Sequence, residues 1–128
     1  MKAWIPLTLI LTVGFAVNAS ADCVYPTAPQ SPPDGATASK DQMIAAKHDF
    51  DRYNGEMTAY MNCLNMEIDS TGPKDTSKLK GDEKKKIDQQ KNILVQKHNA
   101  AYDELQAAVG RFNEQLKIFK AKAAENKS

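Results

Sequence analysis

The sequence is poor in the residues on which most chemistry depends. It holds two cysteines, Cys23 and Cys63, and two histidines, His48 and His98, in 128 positions. No Gly-rich phosphate loop, zinc-ligand spacing or Cys-x-x-Cys motif is present. No nucleophile–base pair is readable either, which argues against an enzyme and against a bound cofactor. A charge excess is also missing: 17 Lys and Arg stand against 16 Asp and Glu. Nucleic-acid binders carry a basic excess, so nucleic acid is not an expected partner. Finally, no apolar run reaches the ~20 residues that a spanning helix needs.

What the first residues do have is a leader pattern. Lys2 precedes a short apolar stretch over 5–17, and Ala19-Ser20-Ala21 follows as a small-residue cleavage site. The expectation is a signal peptide over 1–21, cut after Ala21, and a periplasmic or secreted mature chain; an uncleaved anchor is the alternative. Losing Lys2 leaves 16 basic against 16 acidic residues. Asp22 directly before Cys23 is wrong for lipoprotein processing, which needs a small residue there. Two cysteines in an exported chain read as one disulfide, Cys23–Cys63, rather than two free thiols.

Residues 22–38 form an expected extended arm. Pro26, Pro29, Pro32 and Pro33 exclude helix and favour polyproline II. Pro33-Asp34-Gly35 is a turn signal. From Cys23 to Ser39 the arm reaches roughly 50 Å. From Ser39 to Cys63 a helix rises only about 36 Å. The arm is therefore long enough to fold back along that helix, close the disulfide and bring Tyr25 to the helix's far end.

Ser39-Lys40-Asp41-Gln42 is a capping box, and a heptad of apolar residues follows it: Met43, Phe50, Met57 and Leu64, with Ala46, Tyr53 and Tyr60. A first helix is expected over 39–68. A polar loop over 69–81 contains Gly72-Pro73. A second helix is expected over 82–125, with inward positions that include Leu94, Val95, His98, Ala101, Tyr102, Leu105, Val109, Phe112 and Ala123. At roughly 65 Å it outruns the first helix by about 20 Å. It must overhang or bend, with His98 and Gly110 as candidate bend points. The expected fold is all-α: a long antiparallel helical hairpin with a Pro-rich N-terminal arm strapped to the first helix by a disulfide.

Four candidate sites follow. Met57 and Met61 sit one turn apart, and thioethers suit Cu(I); methionine as core filler is the plainer reading. His48 and His98 are expected within about one turn of each other along the axis, although His48 points to solvent. Lys78, Lys80, Lys84, Lys85 and Lys86 make a basic loop and helix start that suits an anionic partner or lipid headgroups, or is simply a solvated face. The Asp41/His48/Asp51 side of the first helix is the other surface with no structural duty. Two wide apolar stripes on a thin core also favour a homodimer over a monomer.

Cys23-Val-Tyr-Pro, Pro33-Asp34-Gly35-Ala36-Thr37, Met57-x-x-Tyr60-x-x-Cys63-Leu64 and Arg111-Phe112-Asn113-Glu114-Gln115-Leu116 together resemble an uncharacterised family of small secreted, mostly helical proteins of Gram-negative bacteria with two cysteines. The resemblance implies export and the arm–helix disulfide, and brings no activity. The Leu-Thr-x-x-Gln repeats of one group of small periplasmic chaperones are absent. The expected function is a non-enzymatic envelope or secreted interaction module with a protein partner. The alternative is a copper or small-ligand binder using the Met/His set. Contact with a membrane surface through the lysine-rich loop is a weaker third.

Overall fold

The computed structural model describes residues 22–126. The expected signal peptide and the cleavage site at Ala21 lie outside the described residues. Among the described residues two helices account for the regular structure: α1, Lys40–Ser70, and α2, Gly81–Glu125. No strand occurs among the described residues.

Helix α1 starts where its capping box dictates. The Ser39 hydroxyl accepts from the Gln42 N–H at 3.2 Å, and the Ser39 N–H donates to Gln42 Oε1 at 2.8 Å. Two donors left over by helix geometry are thereby satisfied. The helix runs two residues past Ile68, the expected end. The hydroxyls of Ser70 and Thr71 donate to the Glu67 carbonyl at 3.1 and 2.7 Å, and the Thr71 N–H reaches the same oxygen at 2.9 Å. Gly72 then takes φ +72°, a left-handed conformation that glycine adopts without strain, and Pro73 forbids continuation.

Helix α2 is a single helix of 45 residues, unbroken at His98 and Gly110. Neither position carries a proline or another cause of a kink. Asp82 and Glu83 occupy its first turn and Lys122 its last, each matching the helix dipole.

The core lies where the two apolar stripes meet. Tyr53, Met57, Leu64 and Ala101 are essentially inaccessible, with Tyr60, Leu94, Leu105, Ala108 and Phe112 nearly so. Phe50 stacks on Phe112, ring centroids 5.0 Å apart and 5° from parallel. Tyr53 meets Glu104, Asn65 meets His98, and Gly72 meets Ile87. Gly72 facing Ile87 means that the first two turns of α2 extend past the end of α1, which absorbs the difference in helix length.

Three positions expected to face inward do not. Val95 is 42% exposed and Tyr102 51% exposed, and Ala123 is also exposed. The reason is geometric. One helix covers one stripe of its neighbour, and α1 covers Leu94, Ala101, Leu105, Ala108 and Phe112. Positions 95 and 102 lie about 100° further round α2 than 94 and 101.

Residues 22–39 contain no helix. A turn forms at Asp34, whose carbonyl accepts from the Thr37 and Ala38 N–H groups and whose side chain accepts from the Ala36 N–H.

Candidate functional site

The segment before α1 lies over one side of the helix pair, and named contacts fix it there. Cys23 is bonded to Cys63, with Cα atoms 5.7 Å apart. Tyr25 meets Tyr60 edge to face at 5.1 Å between centroids. The Tyr25 hydroxyl donates to Glu104, and the Tyr53 hydroxyl donates to the other oxygen of the same carboxylate at 3.4 Å. Burial, and then the Glu104 carboxylate beside it, push the Tyr25 hydroxyl well above the usual tyrosine range. Burial and the charge of Glu104 raise Tyr53 in the same direction. At the other end Gly35 is buried against α2. Its N–H donates to Gln115 Oε1 at 2.8 Å, and a Cβ there would stand 2.1 Å from the Gln115 carbonyl oxygen.

On α2, Glu104, Arg111 and Gln115 share one side, and on α1 Asp49, Glu56 and Cys63 share the matching side. This is the side the segment covers. The opposite side of the helix pair has nothing over it among the described residues. There Asn65 Nδ2 lies 3.5 Å from His98 Nε2. Around that contact α1 presents Asn54, Thr58, Met61 and Asn65. Helix α2 presents Val95, Asn99, Tyr102, Gln106, Val109 and Asn113. No acidic or basic side chain interrupts either series, although 26% of the chain is charged. The covered side, by contrast, carries Asp49, Glu56, Lys97, Glu104 and Arg111.

The Met/His candidates are not brought together. Met57 is fully buried in the core, where its thioether packs against neighbours, and Met61 is half-buried beside it. His48 is exposed, while His98 is half-buried next to Asn65. The expected proximity of the histidines fails. His48 lies two residues from Phe50, hence near Phe112, and about 25 Å along α1 from Asn65. The expectation assumes a loop end in simple register, and the overhang of α2 shifts that register. Among the described residues, one group of three potential metal ligands has its donor atoms within 4.8 Å of one another: Cys23, Cys63 and Glu67. The two sulfurs are bonded to each other and provide no thiolate.

Lys84 pairs with Asp88. Lys78, Lys80, Lys85 and Lys86 are exposed. Beside them Asp75 accepts from Ser77, whose hydroxyl and N–H hold its carboxyl below the usual range. The Asp41/His48/Asp51 side is partly occupied as well, because Lys47 pairs with Asp51. An open cleft of 580 Å³ near the start of the segment is lined by Asp22, Glu67, Ser70, Thr71, Gly72, Ile87, Gln90 and Leu94, with no histidine or free thiol. No described helix is long and apolar enough to cross a membrane.

No family model matches this chain, and no curated protein or solved structure matches it either.

Sequence reasoning missed the uncharged side. Its signal was available: Val95, Tyr102, Val109 and Leu116 recur every seven residues, beside a second heptad through Ala101 and Ala108. Two adjacent heptads on one helix exceed what one partner helix can cover.

Proposed function

We propose that this chain is an exported, non-enzymatic interaction module of the periplasm or the extracellular space. In this reading the two helices form a long antiparallel hairpin, and the Pro-rich arm straps one side of it. The pairings Phe50–Phe112, Tyr53–Glu104 and Asn65–His98 support the hairpin. The Cys23–Cys63 bond, together with the leader pattern over 1–21, supports export, since disulfides persist in oxidising compartments.

The observation that carries the interaction reading is the uncovered side of the seam. It combines Val95 and Tyr102, two exposed apolar residues, with neutral amides and no charge. The cores of protein–protein interfaces are depleted of charge and enriched in tyrosine and methionine. A solvated helix face has the opposite character.

The test is site-specific photo-crosslinking in cells that export the native chain. A photo-reactive phenylalanine derivative replaces Tyr102, and in a control it replaces Gln96 on the outer face of α2. A discrete protein crosslink at 102 and none at 96 is the expected result. No crosslink at 102 overturns the reading.

A further inference from the structure

The geometry points to a specific occupant for that side: the same side of a second copy of this chain, giving a four-helix dimer with both arms on the outside. This inference rests on the interaction reading above and names its partner. Three observations carry it.

The first is charge. A surface that selects a foreign partner by charge must carry some, and this one carries none over its length from Asn54 to Asn65 on α1 and from Val95 to Asn113 on α2. Its polar groups are Asn, Gln and Thr, each of which both donates and accepts. Such a surface complements itself about a two-fold axis, where residue i meets j and j meets i. Charges return beyond its ends, at the Lys47–Asp51 pair and Asp69 on α1 and at Lys91, Lys117 and Lys120 on α2.

The second is extent. From Val95 to Asn113 the face runs about 27 Å along α2, and from Asn54 to Asn65 about 17 Å along α1, each helix being about 10 Å wide. That is roughly 440 Å² on each copy and about 900 Å² in total, the size of a contact that forms and dissociates readily.

The third is the thinness of the single copy. Its buried hydrophobic residues are supplied by one helix–helix seam and the strap. Val95, Tyr102 and half-buried Met61, Val109, Leu116 and Ile68 form the missing second layer of a bundle core. Facing two such layers buries them in the usual four-helix manner.

Sedimentation velocity on the purified, oxidised chain across a dilution series tests this. The expected result is dimer at about 100 µM with monomer appearing on dilution, as mass action requires. Tyr102→Glu places carboxylates face to face and weakens association at least ~10-fold. Gln106→Glu, at an exposed position, does the same. Gln96→Glu on the outer face leaves it unchanged. Far-UV circular dichroism should be the same for all four proteins. Monomer at every concentration overturns the proposal, as does a dimer indifferent to both Tyr102→Glu and Gln106→Glu. A purified monomer that crosslinks in cells to a different protein at 102 overturns the second copy and leaves the interaction reading standing. A monomer with no crosslink at 102 overturns both.

Discussion

Tyr25 donates its hydroxyl to Glu104 across 79 positions of sequence, and Tyr53 donates to the same carboxylate from α1. One acidic side chain on α2 therefore ties the segment before α1 to the first helix. Glu104→Ala leaves two tyrosine hydroxyls without that partner. The expected loss is about 1–2 kcal/mol, because bonds to an ionised group are stronger than neutral ones while the Tyr25 end is exposed. Tyr25→Phe removes one of the two bonds and should cost less. Urea denaturation of the three proteins measures both.

The same node gives a pH dependence. Tyr25 and Tyr53 both hold their protons more tightly folded than unfolded. The unfolded chain releases them from about pH 10, and the folded chain only above that. The contribution of these groups is therefore fully present below about pH 10 and is lost as the pH rises beyond it. The urea midpoint should hold steady from neutrality to about pH 9 and fall above about pH 10. In Tyr25→Phe the fall should be shallower.

The disulfide closes a span of 40 residues. In the chain-entropy argument a loop of that size is worth about 4 kcal/mol. Replacing both cysteines by serine should lower stability by that order. It should also free the arm, seen as faster proteolysis near Gln30. Intact mass after alkylation under non-reducing conditions, with no added groups on the native chain, checks the bond itself.

Two glycines should respond in opposite directions. Gly55 lies on the outer face of α1, and a methyl group placed there would have nothing within 4 Å. Gly55→Ala should add about 0.5–1 kcal/mol through helix propensity. At Gly35 the methyl would collide with the Gln115 backbone, and Gly35→Ala should cost about 1–3 kcal/mol as overpacking does. Thermal melts of the two variants decide both.

Much of the fold is legible in the residues themselves. The Ser39–Gln42 box marks the start of α1 by local chemistry alone, and Gly72-Pro73 marks its end. The cysteine pair and the reach of the arm imply the bond between them. Register is less legible. The stacking of Phe50 on Phe112 depends on how the loop after Ser70 spends its residues, and no pattern within either helix encodes that. The role of Glu104 is hidden for a similar reason. An exposed glutamate in a helix looks like any solvated residue until two tyrosines from elsewhere arrive. The uncharged side is written in the spacing of Val95, Tyr102 and Val109, but the same spacing also describes a wider core.

The contacts of Gly35 bear on the order of events as the chain folds. In an exported chain the segment before α1 would enter the oxidising compartment ahead of anything it touches. Cys23 could find Cys63 once α1 has followed it there, and with two cysteines only one pairing exists, so an oxidant suffices and no reshuffling is needed. Yet Gly35 rests on Gln115, 80 positions downstream. The tether can thus be tied early, but its far end can settle only after nearly the whole of α2 is complete. Between those moments the molecule is a loop waiting for a surface. A chain stopped short of Gln115 would carry the correct disulfide and an arm with nowhere to lie.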